Sequence, residues 1–140
     1  MRVVFDSNVL ISALTLPGGN GDRAVSAVLS GAVTLILSKS ILDAILRILG
    51  SKFSRSSEEL ARIAVFLGDL AEWVDPKSKL TLLRDEPDNR ILECAIEGAA
   101  ALIVTGDRTM LDLKEYEAIR IVTLRAFLDH LSGSRPLQGI

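Results

Sequence analysis

Four aspartates stand where a folded chain could use them for chemistry. Asp6 directly follows the apolar run Val3-Val4-Phe5 and precedes the apolar stretch from Val9. Asp107 closes the run Ile103-Val104-Thr105-Gly106. Asp85 and Asp88 lie just before the stretch that leads back to that run. Two carboxylates about 4 Å apart repel by roughly 1 kcal/mol in water and roughly 4 kcal/mol at an effective dielectric of 20. A cluster therefore needs a cation, or one member takes up a proton. Oxygen-only ligands suit Mg²⁺ or Mn²⁺. A metal so held can orient water and stabilise charge on a scissile phosphate. Singly, each acid also has an ordinary use, since Asp is a common loop and capping residue. Asp88 would cap a helix beginning at Asn89, and Asp107 a turn at Arg108.

The elements that must position these acids alternate. Strands are expected at Arg2 to Phe5, Val33 to Leu37, Ala101 to Thr105 and Ile119 to Thr123, with a short one at Trp73 and Val74. Each long strand is apolar throughout, the mark of a strand covered on both faces. Helical spacing runs over Val9 to Leu14, Ile41 to Leu49, Glu58 to Ala71, Asn89 to Gly98 and Arg125 to Leu131. Asp22 is placed to cap a helix ending near Ser30, and Ser38 to cap the helix after it. The pattern predicts an α/β fold, a parallel sheet between layers of helices. Ligands of such sheets bind beyond the carboxyl ends of the strands. That rim is where Asp6, Asp88 and Asp107 would meet.

The composition fits one domain over residues 1–131, with a loose tail expected over 132–140. Apolar residues make up 49% and charged residues 24% of the 140. A net charge of −2 excludes a strongly basic nucleic-acid binder but allows a local basic patch. Cys94 is the single cysteine, and neither a signal-peptide layout nor an apolar run long enough for a membrane span appears. A cytoplasmic setting without disulfides is expected.

Three segments, in order, carry a family resemblance. Val3-Val4-Phe5-Asp6-Ser7-Asn8-Val9-Leu10-Ile11-Ser12-Ala13 resembles the start of PIN domains, especially the toxin-like group related to VapC ribonucleases. Arg84-Asp85-Glu86-Pro87-Asp88-Asn89-Arg90 resembles that group's acidic loop, and Ile103 to Leu113 its last acidic motif. Ile119 to Leu128 resembles the closing strand and helix. The resemblance implies a three-layer α/β/α sandwich, Mg²⁺ or Mn²⁺, endoribonuclease activity on RNA, a homodimer, and a small antitoxin protein as partner. Asp6, Asp88 and Asp107 match the metal-binding acids. Asn8 matches a polar residue supporting the first acid, Thr105 a hydroxyl near the site, and Asp85 a further supporting acid. One position departs: Ala44 stands where the group carries a glutamate. Asp43 is adjacent but about 100° around the helix, so it reads first as an ordinary exposed helix residue and second as a substitute acid. The missing acid implies reduced activity.

Other signals carry less. Gly19-Asn20-Gly21-Asp22-Arg23-Ala24 spells a dinucleotide fingerprint but does not follow a strand. His130, the single histidine, sits far along the chain from the acids, and Cys94 has core spacing. Arg47, Lys52, Arg55, Arg84, Arg90 and Arg108 could line an RNA path, and Trp73 or Tyr116 could stack on bases. Two rival functions remain open. A phosphotransfer domain would also place Asp after its first strand, but needs a late lysine where Thr123-Leu124-Arg125 stands. A PIN-fold module that binds RNA or protein without cutting would explain Ala44.

Overall fold

The computed structural model describes residues 1–133. Six strands form one sheet: β1 (Arg2–Phe5), β2 (Thr34–Leu37), β3 (Glu72–Trp73), β4 (Leu102–Val104), β5 (Glu115–Tyr116) and β6 (Ile119–Val122). Their order is β3-β2-β1-β4-β6-β5, and every neighbouring pair is parallel except β5 with β6. Val3, Val4, Phe5, Leu35, Ile36, Leu37, Ile103 and Val104 have no exposed surface, as strands covered on both faces require. Among the described residues seven helices flank the sheet: α1 (Ser7–Thr15), α2 (Asn20–Leu29), α3 (Lys39–Lys52), α4 (Ser57–Leu70), α5 (Glu86–Glu97), α6 (Arg108–Leu113) and α7 (Leu124–Leu131). None is long and apolar enough to cross a membrane.

The strand order creates the position that matters. From β1 the chain winds one way through β2 to β3, then returns to β4 on the other side of β1 and winds towards β6. The winding reverses between β1 and β4, and there the carboxyl ends of an open α/β sheet leave a crevice. Val3, Val4 and Phe5 pair with Leu102, Ile103 and Val104, so Asp6 and Thr105 emerge side by side. The Asp6 amide continues the ladder by donating to the Val104 carbonyl at 2.9 Å.

Local chemistry explains most helix ends. Ser38 accepts from the Ile41 amide, and Ser56 with Glu59 forms a reciprocal capping box. Asp22 does not cap α2: the helix starts two residues earlier, and its carboxylate accepts from the Gly18 amide. Gly21 is a packing residue, since a Cβ there would lie 2.8 Å from the backbone of both Val9 and Ala13 in α1. The Gly-rich segment thus lets two helices approach closely. The Asn89 start expected for the fifth helix is corrected to Glu86, with Pro87 inside the first turn, where its missing N–H costs nothing. The expected tail lies, from residue 134 on, outside the described residues.

Candidate functional site

At the switch point, one hydroxyl joins two acids. Thr105 is fully buried. Its Oγ1 donates to Asp6 Oδ2 at 2.6 Å and accepts from the Asp107 amide at 3.0 Å. Asp6 occupies the cap position of α1, yet its side chain makes no capping bond. Its carboxylate is instead held by Thr105 at the end of β1. Asp107 does cap α6, accepting from the Met110 amide at 3.0 Å, so the ordinary reading of this residue also holds.

The second pair of acids comes from the start of α5. Asp85 is its cap residue, and again the side chain makes no capping bond. Asp88 falls inside the first turn and is buried. Oxygens of Asp85, Asp88 and Asp107 all lie within 4.8 Å of one another. Asp6 is not in that triplet, but its charge reaches Asp88. Burial pushes the Asp88 carboxyl up to about 7, aided by the charge of Asp107, a hydrogen bond with it, and the charges of Asp6 and Asp85. Asp88 Oδ2 is buried without a hydrogen-bond partner. An orphaned buried carboxylate oxygen costs about 1–3 kcal/mol or more. An all-oxygen set with one such atom fits a hard divalent cation.

The loop before α5 has no regular structure over residues 75–85, yet it is tied down. Asn89 Oδ1 accepts from the Leu83 amide at 2.8 Å, and its Nδ2 donates to the Leu83 carbonyl at 2.9 Å. Glu93 accepts from the Leu80 amide at 2.6 Å, and Glu97 from the Lys77 amide at 2.9 Å. Arg90 donates to the Leu80 carbonyl, Glu86 and Glu93. These partners recur at helical spacing, so α5 carries Asp88 together with the clamp on the loop that ends at Asp85. Sequence reasoning missed Glu93, which is buried; its signal was a polar stripe Asn89, Glu93, Glu97 beside an apolar face.

The α3 side differs. Asp43 is exposed and bonded to Lys39 at 2.7 Å, so the structure does not bring it to the acids. Asn8 is exposed in the first turn of α1, and the group that holds Asp6 is the Thr105 hydroxyl. Ala44 lines a cleft of about 260 Å³ between α1, α3 and α5, with Ser7, Arg47, Pro87 and Arg90 on its walls. Of the expected cations, Arg47, Lys52, Arg84 and Arg108 are exposed, whereas Arg55 pairs with Glu59 and Arg90 is tied up in the clamp. Trp73 is exposed and donates to the Gly68 carbonyl. Cys94 is core, and burial pushes its thiol up to about 12.

Comparison with known proteins agrees with this layout. A solved structure of VapBC2 from Rickettsia felis, bound to a DNA fragment from its promoter, aligns with a TM-score of 0.63 at 17% identity, covering 88% of this chain and 98% of that one. That likeness is one of fold. MJ1680 of Methanocaldococcus jannaschii, an uncharacterized protein, is 28% identical over 119 residues, 82% of this chain and 76% of the relative. The family model described as PIN domain matches residues 2–109, a span that includes all four acids. The chain belongs to the PIN domain family.

Proposed function

We propose that this protein is a Mg²⁺- or Mn²⁺-dependent endoribonuclease, the toxin component of a toxin–antitoxin pair. Family membership supports a nuclease role in general. The observation that carries the metal-dependent reading is the buried, unpartnered Asp88 Oδ2 among the oxygens of Asp85 and Asp107. Asp88 and Asp107 would hold the cation with Asp6, and Asp85 would assist. When bound, the cation supplies a polarised water and neutralises charge on the phosphate. The chain's own part is positional. Thr105 fixes the Asp6 carboxylate, Asp107 is held by α6, and α5 presents Asp88 at the same crevice.

An antitoxin partner is supported by the likeness to VapBC2, and RNA by the resemblance of the three acidic motifs. A homodimer is supported by the exposed Val65 and Phe66 on α4, an apolar surface beside Ala61 and Arg62. A cytoplasmic setting follows from the same reading. The test is cleavage of a mixed RNA pool with Mn²⁺, with Mg²⁺ and with excess chelator. Cleavage that needs metal and stops in chelator is expected; undiminished cutting in chelator overturns the reading.

A second reading, a PIN-fold module that binds RNA or protein without cutting, rests on Ala44 and on the acid-free wall of α3. RNA retention without cleavage in that assay selects it.

A further inference from the structure

We propose that the cleft beside Ala44 is a nucleotide subsite, taking one base of the RNA next to the cut bond with Arg47 on that nucleotide's phosphate. The proposal rests on the ribonuclease reading for its substrate and on the cleft itself for everything else.

Position comes first. Ser7 and Pro87 line the cleft, and each is the chain neighbour of an acid, Asp6 and Asp88. A group seated there is therefore close to whatever the acids act on. Size comes second. At about 260 Å³ the cleft falls just short of the roughly 300 Å³ at which pockets for drug-sized ligands begin. That is room for a base. The small side chain of Ala44 leaves that space open, since any longer group from this turn of α3 would project into it.

The lining has the mixed character a base needs. Ile41, Ala44 and Ile91 give an apolar floor, and the hydroxyls of Ser7 and Ser40 can meet the polar edge of a ring. Charge selects the phosphate. Arg47 is exposed, and none of the ion pairs among the described residues engages it. A guanidinium so placed matches phosphate in fork geometry. Arg90, on the opposite wall, keeps a buried Nε–H without an acceptor. The rest of its guanidinium is taken by Glu86, Glu93 and the Leu80 carbonyl, so Arg47 is the cation left for a phosphate. The acids belong to the α5 side of the cleft and Arg47 to the α3 side, so a phosphate is drawn towards α3 and away from the unneutralised carboxylates.

The test has two arms. In the first, the metal-free protein is titrated with each nucleoside 5′-monophosphate and amide shifts are followed by NMR. Wild type is expected to show millimolar binding centred on Ser40 to Arg47 and Pro87 to Ile91, absent in Ala44→Leu and about tenfold weaker in Arg47→Ala. Arg47 is exposed, so its variant keeps the test open if leucine at position 44 disturbs packing. No shifts at the cleft, or shifts unchanged in both variants, overturn the proposal. In the second arm, RNA oligonucleotides cut by wild type with Mn²⁺ are given to the variants. KM is expected to rise about tenfold with kcat within about twofold, and an abasic flanking nucleotide should erase the difference. Cleavage with KM and flanking preference unmoved in both variants overturns the subsite and leaves the nuclease reading standing. Mononucleotide binding that is lost on filling the cleft, with no RNA cut under any metal, sustains the subsite and removes the nuclease reading.

Discussion

The two walls of the site are built on different physics. The α5 wall concentrates acids: Asp85, Asp88 and Asp107 share a space under 5 Å across, with Asp6 beside them. Its loop is clamped by Asn89, Glu93 and Glu97, so the charges are held against their own repulsion. The α3 wall has no acid facing the cleft. Asp43 is turned to Lys39, Ala44 leaves space, and Arg47 is unpaired. On the proposed reading, cation binding and substrate holding fall to separate elements, and variants on each wall should fail in different ways.

The largest effect is expected at the shared centre. Asp6→Asn keeps the side-chain shape but removes an anion, and it weakens the acceptor for the short Thr105 bond. RNA cleavage should fall by on the order of a hundredfold or more, while thermal stability stays near wild type. Cleavage within a few-fold of wild type would place the chemistry away from β1.

Thr105→Val tests the support for that acid. Valine matches the shape but leaves Asp6 Oδ2 and the Asp107 amide without their common partner. Loss of such an outer partner costs roughly 10–100-fold in metal affinity or activity, and the buried, unpaired groups cost about 1–3 kcal/mol of stability. Calorimetric Mn²⁺ titration and thermal melts measure both. A change in stability with unchanged Mn²⁺ affinity would make Thr105 a purely structural residue.

A smaller effect separates the walls by pH. Asp88 titrates near 7 in the fold, against an ordinary value of 3.8. Below the lower value both states are protonated. Between the two the folded protein keeps a proton that the unfolded chain has lost, so metal-free stability falls as pH rises. Above about 7 the slope ends and the penalty remains. Melting temperature of the metal-free protein should therefore decline from pH 5 to pH 7, and Asp88→Asn should flatten the decline. A cation that binds the ionised site should restore stability at pH 8.

What the sequence made legible, and what it hid, divides along physical lines. β1, β2, β4 and β6 were visible because aliphatic residues fill most or all of each, and Asp6 and Asp107 were visible because one directly follows β1 and the other lies just beyond β4. Thr105 was visible as a hydroxyl near the site but its bond to Asp6 was not, because it spans 99 positions of sequence. β5 was hidden for a local reason. It joins β6 by the two-residue turn Glu117-Ala118, both at positive φ, without the Asn-Gly signature such turns usually carry. The clamp on α5 was hidden because polar residues on a helix read as its solvent face, and only the loop at 75–85 covers them.

Replacing Ala44 with glutamate should produce the smallest and most informative change, because its two consequences oppose each other. A carboxylate on α3 would add negative charge beside Asp6 and Asp88, and cation affinity rises with ligand charge. Arg47 and Arg90 line the same cleft and would compete for the new anion, so part of its charge is spent on them. Mn²⁺ affinity should therefore rise only about threefold to tenfold, within what the charge of one partly screened group supplies. The same side chain would occupy the cleft that Ala44 leaves open. RNA should then bind less well, with KM rising while kcat holds or increases. Calorimetry for Mn²⁺ and steady-state cleavage on one oligonucleotide read the two terms separately. Tighter metal with a lower KM would show that the α3 wall serves the cation and not the substrate. Unchanged metal affinity would show that position 44 faces away from the acids, and the division between the walls would then be complete.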